Sequence, residues 1–535
     1  MARAESERAA FFRRLIETCR ARRTTKVADS TGQELSGVGL LARALVVRRL
    51  LRRRLLGADE RHVGILLPPA VGAVVANLGL ALDRRVPVNL NYTLTAGLLN
   101  AGIAQAGIRH VLTSRRFAEK VPLRLDAEPI YLEDLAALVT PVDKAIAGAQ
   151  ARALPVGLLL KMLGLAGPTA GDEDVLTVVF TSGTTGAPKG AMLTHGNIAA
   201  NLDAVDRLIR WRPSDVLLGV LPFFHSFGST VTLWGPLLRD LTVAYHANPL
   251  EAQGIAKLCR ERRATLIAAT PVFLRHYLRR VEPVDFATLD VVAVGAEKLP
   301  RELSDAFEAK FGVRPIEGYG TTEMSPLVAA NTPARRATAE PGAWSREGTV
   351  GRPAPGVRAK VVDPETGAEV GPGERGMLWV GGPSLMKGYL GRPEATAEVV
   401  EDGWYRTGDI ATIDGEGFIT LVDRQSRFAK IAGEMVPHGV VEDALGALLG
   451  PGDGGTPRLV VTSVPDPLRG EKLVVVHTPW DAKPDDLRQG LAAAGLPNLF
   501  IPGRDAFVEV GELPVVGAGK LDLRRIKEMA LEAPA

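Results

Sequence analysis

The sequence predicts an α/β protein in which a large N-terminal domain of layered α/β subdomains and a β-rich subdomain precede a small α+β C-terminal domain. Strand-like apolar runs and helix-like amphipathic runs alternate through most of the chain. From Gly348 onward, glycine and proline become frequent and short strand patterns dominate. The last segment mixes short strands and helices. We therefore predict domains at residues 1–423, with the β-rich part at about 345–423, and at 424–535.

Size and composition support more than one domain and an ordinary globular protein. The 535 residues exceed the size at which a single hydrophobic core usually stops growing. The formal net charge of +3 gives no global bias toward nucleic acid, so no nucleic-acid partner is expected. The two cysteines, Cys19 and Cys259, are too few for a disulfide framework, which favours buried thiols in a reducing compartment.

No segment of the sequence has the pattern of a signal peptide or a membrane span. The N-terminus lacks an apolar core, and no uninterrupted apolar run reaches the roughly 18 residues that a spanning helix needs. The nearest stretch, residues 153–167, is interrupted by Pro155 and Lys161. We expect a cytoplasmic protein. Peripheral membrane contact stays open because of that stretch and an arginine cluster at 48–54, although a partly buried connector and a solvated helix face are the favoured interpretations.

The secondary-structure patterns of the first domain are those of a largely parallel sheet. Leu40 to Leu56 has helical apolar spacing, and His62 to Leu67 is a short buried strand pattern that ends at Pro68. Further apolar runs precede loops. They lie at residues 175–181, 265–270 and 289–294.

A dense run of hydroxyl and glycine residues between Val178 and Gly190 predicts a phosphate-binding loop. Glycines let backbone N–H groups approach phosphate oxygens closely, hydroxyls add donors and Lys189 adds a charge. Lys189 precedes another strand pattern and the next helix starts at Thr194 or Asn197, unlike the P-loop lysine that opens a helix. The sequence therefore predicts a hairpin-like phosphate loop and not a plain surface turn. Its residues are Thr181, Ser182, Gly183, Thr184, Thr185 and Gly186.

Further motifs follow this loop in a fixed order, and together they resemble the adenylate-forming superfamily of acyl-CoA synthetases, luciferases and peptide-synthetase adenylation domains. The motifs are Leu221–Gly228, Gly318–Glu323, Gly403–Asp409, Asp423–Arg424 and Gly517–Lys520. Residues 294–299, 427–436 and 513–522 are similar to the synthetase half of bacterial acyl–acyl-carrier-protein synthetase/2-acylglycerophosphoethanolamine acyltransferase. The resemblance extends from about Asp174 to Asp522.

The resemblance implies an ATP- and Mg²⁺-dependent ligase. Such an enzyme converts a medium- or long-chain fatty acid into acyl-AMP and then transfers the acyl group to a phosphopantetheine thiol of acyl carrier protein or CoA. Two alternatives on the same fold are a CoA ligase for other carboxylic acids and a β-lactone-forming enzyme. A non-catalytic lipid-surface protein is a third, and the presence of Lys189, Glu323, Asp409 and Lys520 together argues against it.

The resemblance also implies catalytic roles for five residues. Lys189 would hold the β- and γ-phosphates with the loop. Glu323 would be the magnesium ligand, and Thr322 would bond the α-phosphate. His225, at the mouth of an aromatic acyl pocket, would orient the carboxylate. Lys520 would bridge that carboxylate and the α-phosphate. Cations and donors at these positions match the charge that a phosphoryl-transfer transition state spreads over its oxygens.

Nucleotide binding and domain motion are assigned by the same resemblance. Tyr319, which follows Gly318, would stack on adenine, and the turn of Gly295, Ala296 and Glu297 would line its other face. Asp409 would bind the ribose, and Arg424 the ribose or phosphates. The C-terminal domain would be mobile about a hinge at Ser426. It would present Lys430 and Gly433 to the thiol in the second step.

Overall fold

The computed structural model describes residues 5–167, 174–181, 188–333, 335–338, 345–424, 427–431, 434–450, 457–516 and 520–533. The backbone divides into two compact units, one of residues 1–359 and 380–405 and the other of residues 360–379 and 406–535. The predicted domain limits at 423 and 424 stay predictions. Within the described parts of the chain, no helix has the length and apolar character that crossing a membrane requires.

The helices are numbered along the chain. They are α1 Glu7–Ala21, α2 Gly37–Leu50, α3 Val71–Leu82, α4 Ala96–Ala106, α5 Arg115–Lys120, α6 Leu132–Ala137, α7 Pro141–Arg152, α8 Val156–Leu163, α9 His195–Leu208, α10 Gly235–Leu237, α11 Ala252–Arg262, α12 Pro271–Arg280, α13 Arg301–Phe311, α14 Pro393–Ala397, α15 His438–Leu449, α16 Pro484–Ala493 and α17 Leu523–Glu532. Segments of π-helix lie at Leu51–Leu55 and Gly228–Trp234, and 3₁₀ turns at Pro283–Phe286, Thr322–Met324 and Asn498–Phe500.

The strands are numbered in the same way. They are β1 Thr25–Asp29, β2 Glu34–Ser36, β3 His62–Ile65, β4 Val86–Asn89, β5 His110–Thr113, β6 Glu128–Tyr131, β7 Val175–Thr181, β8 Lys189–Thr194, β9 Val216–Gly219, β10 Thr242–Tyr245, β11 Leu266–Ala269, β12 Val291–Val294, β13 Ile316–Gly320, β14 Leu327–Ala330, β15 Arg352–Pro353, β16 Arg358–Val362, β17 Gly376–Gly381, β18 Gly388–Tyr389, β19 Val400–Glu401, β20 Trp404–Ile413, β21 Ile419–Arg424, β22 Phe428–Ile431, β23 Glu434–Pro437, β24 Leu459–Asp466, β25 Gly470–His477, β26 Phe507–Glu509, β27 Val515–Val516 and β28 Lys520–Leu521.

The first unit is built on layered sheets with parallel central strands. Of its described strands, nine form a sheet in the order β15-β14-β13-β12-β11-β9-β10-β1-β2, which is parallel from β13 to β1. A second sheet, β4-β3-β5-β6, is wholly parallel. Strands buried on both faces need continuous apolar runs, as in β11, where every residue is buried. The α/β class and the largely parallel sheet are as the sequence predicts.

The main core of the first unit lies where α2 packs against α3 and α7. Helix α3 is apolar almost all round and is buried along nearly its whole length, as expected of a helix in the interior. Gly79 permits this packing, because a Cβ there would lie 2.9 Å from a methyl carbon of Val47 on α2.

Two interpretations of the sequence near α2 are wrong in part. Arg48 and Arg49 are not simply solvated, because they are half-buried and pair with Asp83 and Asp143 at 3.4 and 2.6 Å. Residues 153–167 are not a plain connector, because they contain α8.

The second unit contains short strands followed by a small α+β segment. Strand β20 pairs antiparallel with β21, and in the terminal segment the sheet order is β23-β22-β25-β24, with β26 parallel to β25. Helices α15 and α16 cover this sheet through Val441, Leu445 and Leu491. Strands β16, β17, β20 and β19 follow one another in a single sheet, and β21 pairs with β20.

Candidate active site

The predicted phosphate loop joins two strands of an antiparallel hairpin. Strand β7 pairs with β8, Thr181 lies opposite Lys189, and the Thr181 hydroxyl donates a 3.3 Å hydrogen bond to the Lys189 carbonyl. Helix α9 begins after Thr194, whose hydroxyl accepts from the Asn197 N–H at 3.0 Å. The strand–loop–strand prediction is confirmed on both flanks. The loop residues Ser182, Gly183, Thr184, Thr185 and Gly186 lie outside the described residues.

Glu323 lies in a tight 3₁₀ turn that follows the glycine-rich end of β13. Only 7% of the residue is exposed, and its carboxylate accepts a 2.6 Å hydrogen bond from the Tyr389 hydroxyl. Burial and the Glu323 charge raise the pKa of Tyr389 well above its ordinary value, so the phenol stays protonated and donates. The Lys189 ammonium lies 5.4 Å from the centroid of the same ring. Tyr389 therefore contacts both a predicted phosphate ligand and the predicted metal ligand.

The segment that carries Tyr389 was not singled out in the sequence. Strand β18 pairs antiparallel with β8, so that Tyr389 lies opposite Ala191. The Leu390 N–H donates to the Gly190 carbonyl at 2.8 Å, and the Met386 N–H donates to the Glu323 carbonyl at 2.7 Å. This segment thus ties the hairpin to the Glu323 turn. The Gly388–Tyr389 pair alone carries no sequence signal of these contacts, because they join residues far apart in the chain.

His225 lies in the loop that enters the π-helical segment Gly228–Trp234. It is half-buried, and its ring centroid is 4.6 Å from that of Phe224. The neighbouring Ser226 hydroxyl lies 3.1 Å from the Thr322 hydroxyl, which places this loop beside the Glu323 turn. Gly228 is required here, because a Cβ would lie 2.1 Å from the Pro222 carbonyl oxygen. The structure thus brings Ser226, the residue after His225, against Thr322 and adds Ser226 to the candidate site.

The turn after β12 lies beside the glycine-rich end of β13. A Cβ on Gly295 would be 3.4 Å from the Gly318 carbonyl oxygen and 3.4 Å from the Phe227 ring, so glycine keeps this approach open. Ala296 has a left-handed backbone with φ of 73°, and Glu297 is half-buried. Tyr319 is buried in β13 opposite Ala329. The predicted adenine-binding residues are therefore neighbours.

Glu317 is a further carboxylate at this place that the sequence analysis missed. It accepts a 3.1 Å hydrogen bond from the Leu299 N–H, and burial raises the pKa of its side chain to about 7. An acidic residue on a strand directly before Gly318 and Tyr319 is the signal that could have pointed to it. Its protonation changes near neutral pH.

Asp409 and Arg424 lie opposite one another in the second unit. They pair across β20 and β21, with Arg424 Nε 3.3 Å from Asp409 Oδ1. The Asp409 side chain is 9% exposed and that of Arg424 is 67% exposed. The Arg424 guanidinium is therefore exposed to solvent while it pairs with a buried carboxylate. The predicted ribose ligands are therefore adjacent.

The remaining predicted residues of the second unit are only partly described. Lys430 lies 3.4 Å from Glu365, and its N–H donates to Glu471 at 2.6 Å. Lys520 begins β28, opposite Val516, and its side chain lies outside the described part of the structure, as do Ser426 and Gly433.

The donor set near Glu323 fits magnesium. Among the described residues, no group of three or more His, Cys, Asp or Glu side chains could hold a metal on its own. Mg²⁺ commonly binds through one or two carboxylates plus the phosphates of a nucleotide. Glu323, a buried carboxylate linked through Tyr389 to the β7–β8 hairpin, has the chemistry that such a site would need.

A comparison with protein families decides the class. The model of the AMP-binding enzyme family matches residues 16–390, which include the hairpin, the His225 loop, the Glu323 turn and Tyr389. The chain belongs to the AMP-binding enzyme family. The resemblance to adenylate-forming enzymes seen in the sequence is thereby confirmed. Its finer form, the likeness to acyl–acyl-carrier-protein synthetases, stays a prediction.

Curated proteins with similar sequences are named as a CoA synthase or as CoA ligases. A feruloyl-CoA synthase of an Amycolatopsis species is 33% identical over 355 residues, or 66% of this chain and 69% of its own length. A long-chain-fatty-acid–CoA ligase of Bacillus subtilis is 32% identical over 375 residues, or 68% of this chain and 63% of its own. The match thus covers less than two thirds of the Bacillus ligase. A ligase of the same name from Haemophilus influenzae is 28% identical over 498 residues, or 87% of this chain and 84% of its own.

Solved structures of AMP-binding enzymes share the fold over nearly the whole chain. ATP-bound MatB from Rhodopseudomonas palustris superimposes with a TM-score of 0.79 at 26% identity, covering 98% of this chain and 99% of MatB. The o-succinylbenzoate CoA synthetase MenE of Bacillus subtilis, in complex with an acyl-adenylate, has a TM-score of 0.79 at 21% identity. This match covers 96% of this chain and 97% of MenE. The predicted fold class is confirmed.

Proposed function

We propose that this AMP-binding enzyme activates a carboxylic acid with ATP to acyl-AMP and then transfers the acyl group to a phosphopantetheine thiol. The observation that carries the proposal is the contact set of Lys189, Tyr389 and Glu323 at the end of the phosphate hairpin. A cation lies over the ring of one tyrosine and a buried carboxylate accepts from its hydroxyl, which suits a triphosphate and its counterion.

In the first half-reaction, a carboxylate oxygen of the acid attacks the α-phosphorus of ATP. The new P–O bond forms as the bond to the β-phosphate oxygen breaks, and pyrophosphate leaves with the electron pair. Lys189 stabilises the leaving phosphates, and Thr322 donates to an α-phosphate oxygen with Ser226 holding its hydroxyl in place. Glu323 would hold Mg²⁺, which would supply positive charge to the phosphates.

The motifs assign residues to each part of the nucleotide. Tyr319 stacks on adenine, with the turn of Gly295, Ala296 and Glu297 on its other face and Gly318 leaving room for the base. Asp409 accepts hydrogen bonds from the ribose hydroxyls. The ion pair between Asp409 and Arg424 orients the guanidinium, which supports a role for Arg424 at the ribose or phosphates. These assignments come from the motifs.

The acid that we propose is a medium- or long-chain fatty acid. His225 would orient its carboxylate, and the apolar residues next to it, Phe224 and Phe227, would contact the chain. The fatty-acid ligases among the relatives support this substrate class. An aromatic acid is the second candidate, because the feruloyl-CoA synthase is at least as similar in sequence.

In the second half-reaction, the thiol sulfur attacks the acyl carbonyl and AMP leaves. Rotation of residues 424–535 about Ser426 would remove Lys520 and bring Lys430 and Gly433 toward the thiol. The motif at residues 427–436 favours acyl carrier protein as the acceptor, whereas the names of the relatives favour CoA.

Pyrophosphate exchange tests the first step, and thiol consumption tests the second. Exchange of labelled pyrophosphate into ATP is measured with fatty acids of medium to long chain, with ferulic acid and with a dicarboxylic acid. CoA and holo-acyl carrier protein then compete for the acyl group. A β-hydroxy fatty acid is included for the alternative of lactone formation. We expect exchange with fatty acids and thioester formation with one of the two thiols. Exchange with none of the acids refutes the proposal, and AMP release from the hydroxy acid without thiol consumption assigns lactone formation instead.

A further inference from the structure

The two features that left membrane contact open in the sequence meet on one surface of the first unit. Residues 37–57 contain six arginines and neither Asp nor Glu, and residues 144–167 contain three basic residues and likewise no acid. The first segment is α2 with its π-helical end, and the second is most of α7 with α8. Helix α2 packs against α7, so the two acid-free segments are neighbours in the fold.

A short series of contacts joins the basic end of α2 to the end of α8. Arg52 lies 3.5 Å from the Asp83 carboxylate at the end of α3. Arg84, which follows Asp83 in the chain, is exposed. The Arg84 side chain lies over the C-terminus of α8, because a Cβ on Gly164 would be 3.4 Å from it. Arg53 and Arg54 are exposed next to Arg52.

The outer face of α8 carries large apolar side chains. Leu158 and Met162, one helical turn apart, are 47% and 54% exposed, while Leu159, Leu160 and Leu163 are buried in the core on the opposite face. Residues four apart lie on one face of a helix, so Leu158 and Met162 project together. Lys161 is exposed beside them.

Two of the carboxylates near this region are buried. Asp83 is 2% and Asp143 8% exposed at the side chain, and both are engaged by arginines of α2 and its π-helical end. Exposed Glu5 and Glu7 lie at the start of α1, beside the Ser6 hydroxyl that donates to the Gly167 carbonyl, and Glu5 pairs with Arg13 at 2.9 Å. The surface, which we name the α8 surface, combines exposed apolar side chains with exposed cations. Its members are Arg52, Arg53, Arg54, Arg84, Leu158, Lys161 and Met162.

We propose that the α8 surface is a docking site for an anionic lipid bilayer. Stable peripheral binding takes two signals, insertion of apolar side chains into the interface and attraction of cations to anionic headgroups. The α8 surface has both within one unit. The absence of acidic residues from both segments favours an anionic partner. The proposal does not depend on which acid the enzyme activates, because bilayer binding needs no turnover.

Vesicle flotation of the full chain tests the proposal. Wild-type protein is mixed with vesicles of phosphatidylcholine alone or with added phosphatidylglycerol, at low and at high salt. We expect flotation with the anionic vesicles and a loss of it in high salt, because exposed charges are screened. Failure to float with anionic vesicles at low salt overturns the proposal.

Paired variants separate the two signals. Each cation near an anionic surface contributes about fivefold in binding, so Arg53→Gln/Arg54→Gln should weaken partitioning by on the order of tenfold or more. Leu158→Ser/Met162→Ser should weaken it by about tenfold, because insertion is lost. The matched controls, Arg279→Gln/Arg280→Gln and Leu250→Ser/Val284→Ser, alter exposed residues elsewhere in the unit and should bind as wild type does.

Other partners are outcomes of the same experiment. Capture of an acidic acyl carrier protein through the α8 surface without flotation would assign it to a protein partner. Self-association abolished by Leu158→Ser/Met162→Ser, again without flotation, would assign it to a second copy of the chain. Equal loss of flotation in variants and controls would show unspecific effects, and each of these results overturns the proposal. Pyrophosphate exchange, measured separately, should be unchanged in all four variants.

Discussion

The Tyr389 hydroxyl donates a 2.6 Å hydrogen bond to the Glu323 carboxylate, and the same ring lies 5.4 Å from the Lys189 ammonium. The phenol thus fixes the direction of the carboxylate that is proposed to hold magnesium. A residue that acts in this way positions another group and does not touch the reacting atoms. Its loss should alter the response to Mg²⁺ more than the choice of acid.

Tyr389→Phe should lower the rate of pyrophosphate exchange by about tenfold and raise the Mg²⁺ concentration needed for half-maximal exchange. A hydrogen bond to a charged group is worth roughly 1.5–3 kcal/mol, and part of that is recovered when the carboxylate turns to magnesium. The measurement is a magnesium titration of exchange. Tyr277→Phe, which removes a buried hydroxyl bonded to the Pro249 carbonyl, is the matched control and should leave the titration unchanged. An unchanged titration for Tyr389→Phe would contradict the positioning role.

Glu323→Gln and Lys189→Met should each reduce exchange on the order of a hundredfold for every acid tested. Both side chains are proposed to act on the nucleotide, and one charge contact to a transition state commonly contributes about 3 kcal/mol. The readout is exchange across the acid panel. Lys310→Met, at a lysine bonded to the Leu278 carbonyl, is a matched control. If either variant changed only which acid is preferred, its assigned role would be wrong.

Lys520→Ala should lose adenylation and keep much of its ability to form thioester from supplied acyl-adenylate. An ammonium between two anions serves the first step, and rotation of the terminal domain would carry it away before the second. Gly433→Leu should behave in the opposite way, because a side chain facing the thiol would block its approach without touching ATP. Both half-reactions are assayed for both variants. Equal impairment of both steps by Lys520→Ala would exclude two alternating conformations.

The free energy of unfolding should fall as pH rises through the titration of Glu317. Burial raises the pKa of this carboxyl from 4.5 to about 7, so the folded protein binds its proton more tightly than the unfolded chain does. The contribution of Glu317 to the free energy of unfolding has its full value below about pH 4.5 and is lost as the pH rises through about 7. Glu317→Gln should remove this pH dependence, which amounts to at most about 3 kcal/mol. Urea unfolding across that range measures it, with the exposed Glu119→Gln as control. Parallel curves for wild type and Glu317→Gln would contradict the prediction.

Local pattern predicted the parts of the site whose geometry is set by nearby residues. The hairpin around Lys189 follows from an apolar run, a glycine-rich turn and a second run, and the start of α9 follows from the cap at Thr194. Motifs located Thr322 and Glu323 through resemblance. These residues lie on strand ends and turns, where chain direction follows from the local sequence.

The contacts that the sequence did not predict join distant segments. Nothing near Tyr389 indicates that its strand pairs with β8, and nothing near Ser226 indicates that its hydroxyl lies beside Thr322. Likewise, the contact of Arg84 with the end of α8 depends on tertiary packing. Pro155 and Lys161 interrupt the apolar run too early for a membrane span, and the structure places them at the N-terminal cap and on the exposed face of the short helix α8.

Two contacts with Glu323 constrain the length of the segment that leads into the short strand Gly388–Tyr389. The Met386 N–H is fixed on the Glu323 carbonyl, and three residues later the Tyr389 side chain must meet the carboxylate of that same glutamate. Successive side chains of a strand point to opposite faces, so one inserted residue would turn the phenol away while the strand could still pair. The contact between the phenol and the Glu323 carboxylate therefore depends on the number of residues between Met386 and Tyr389.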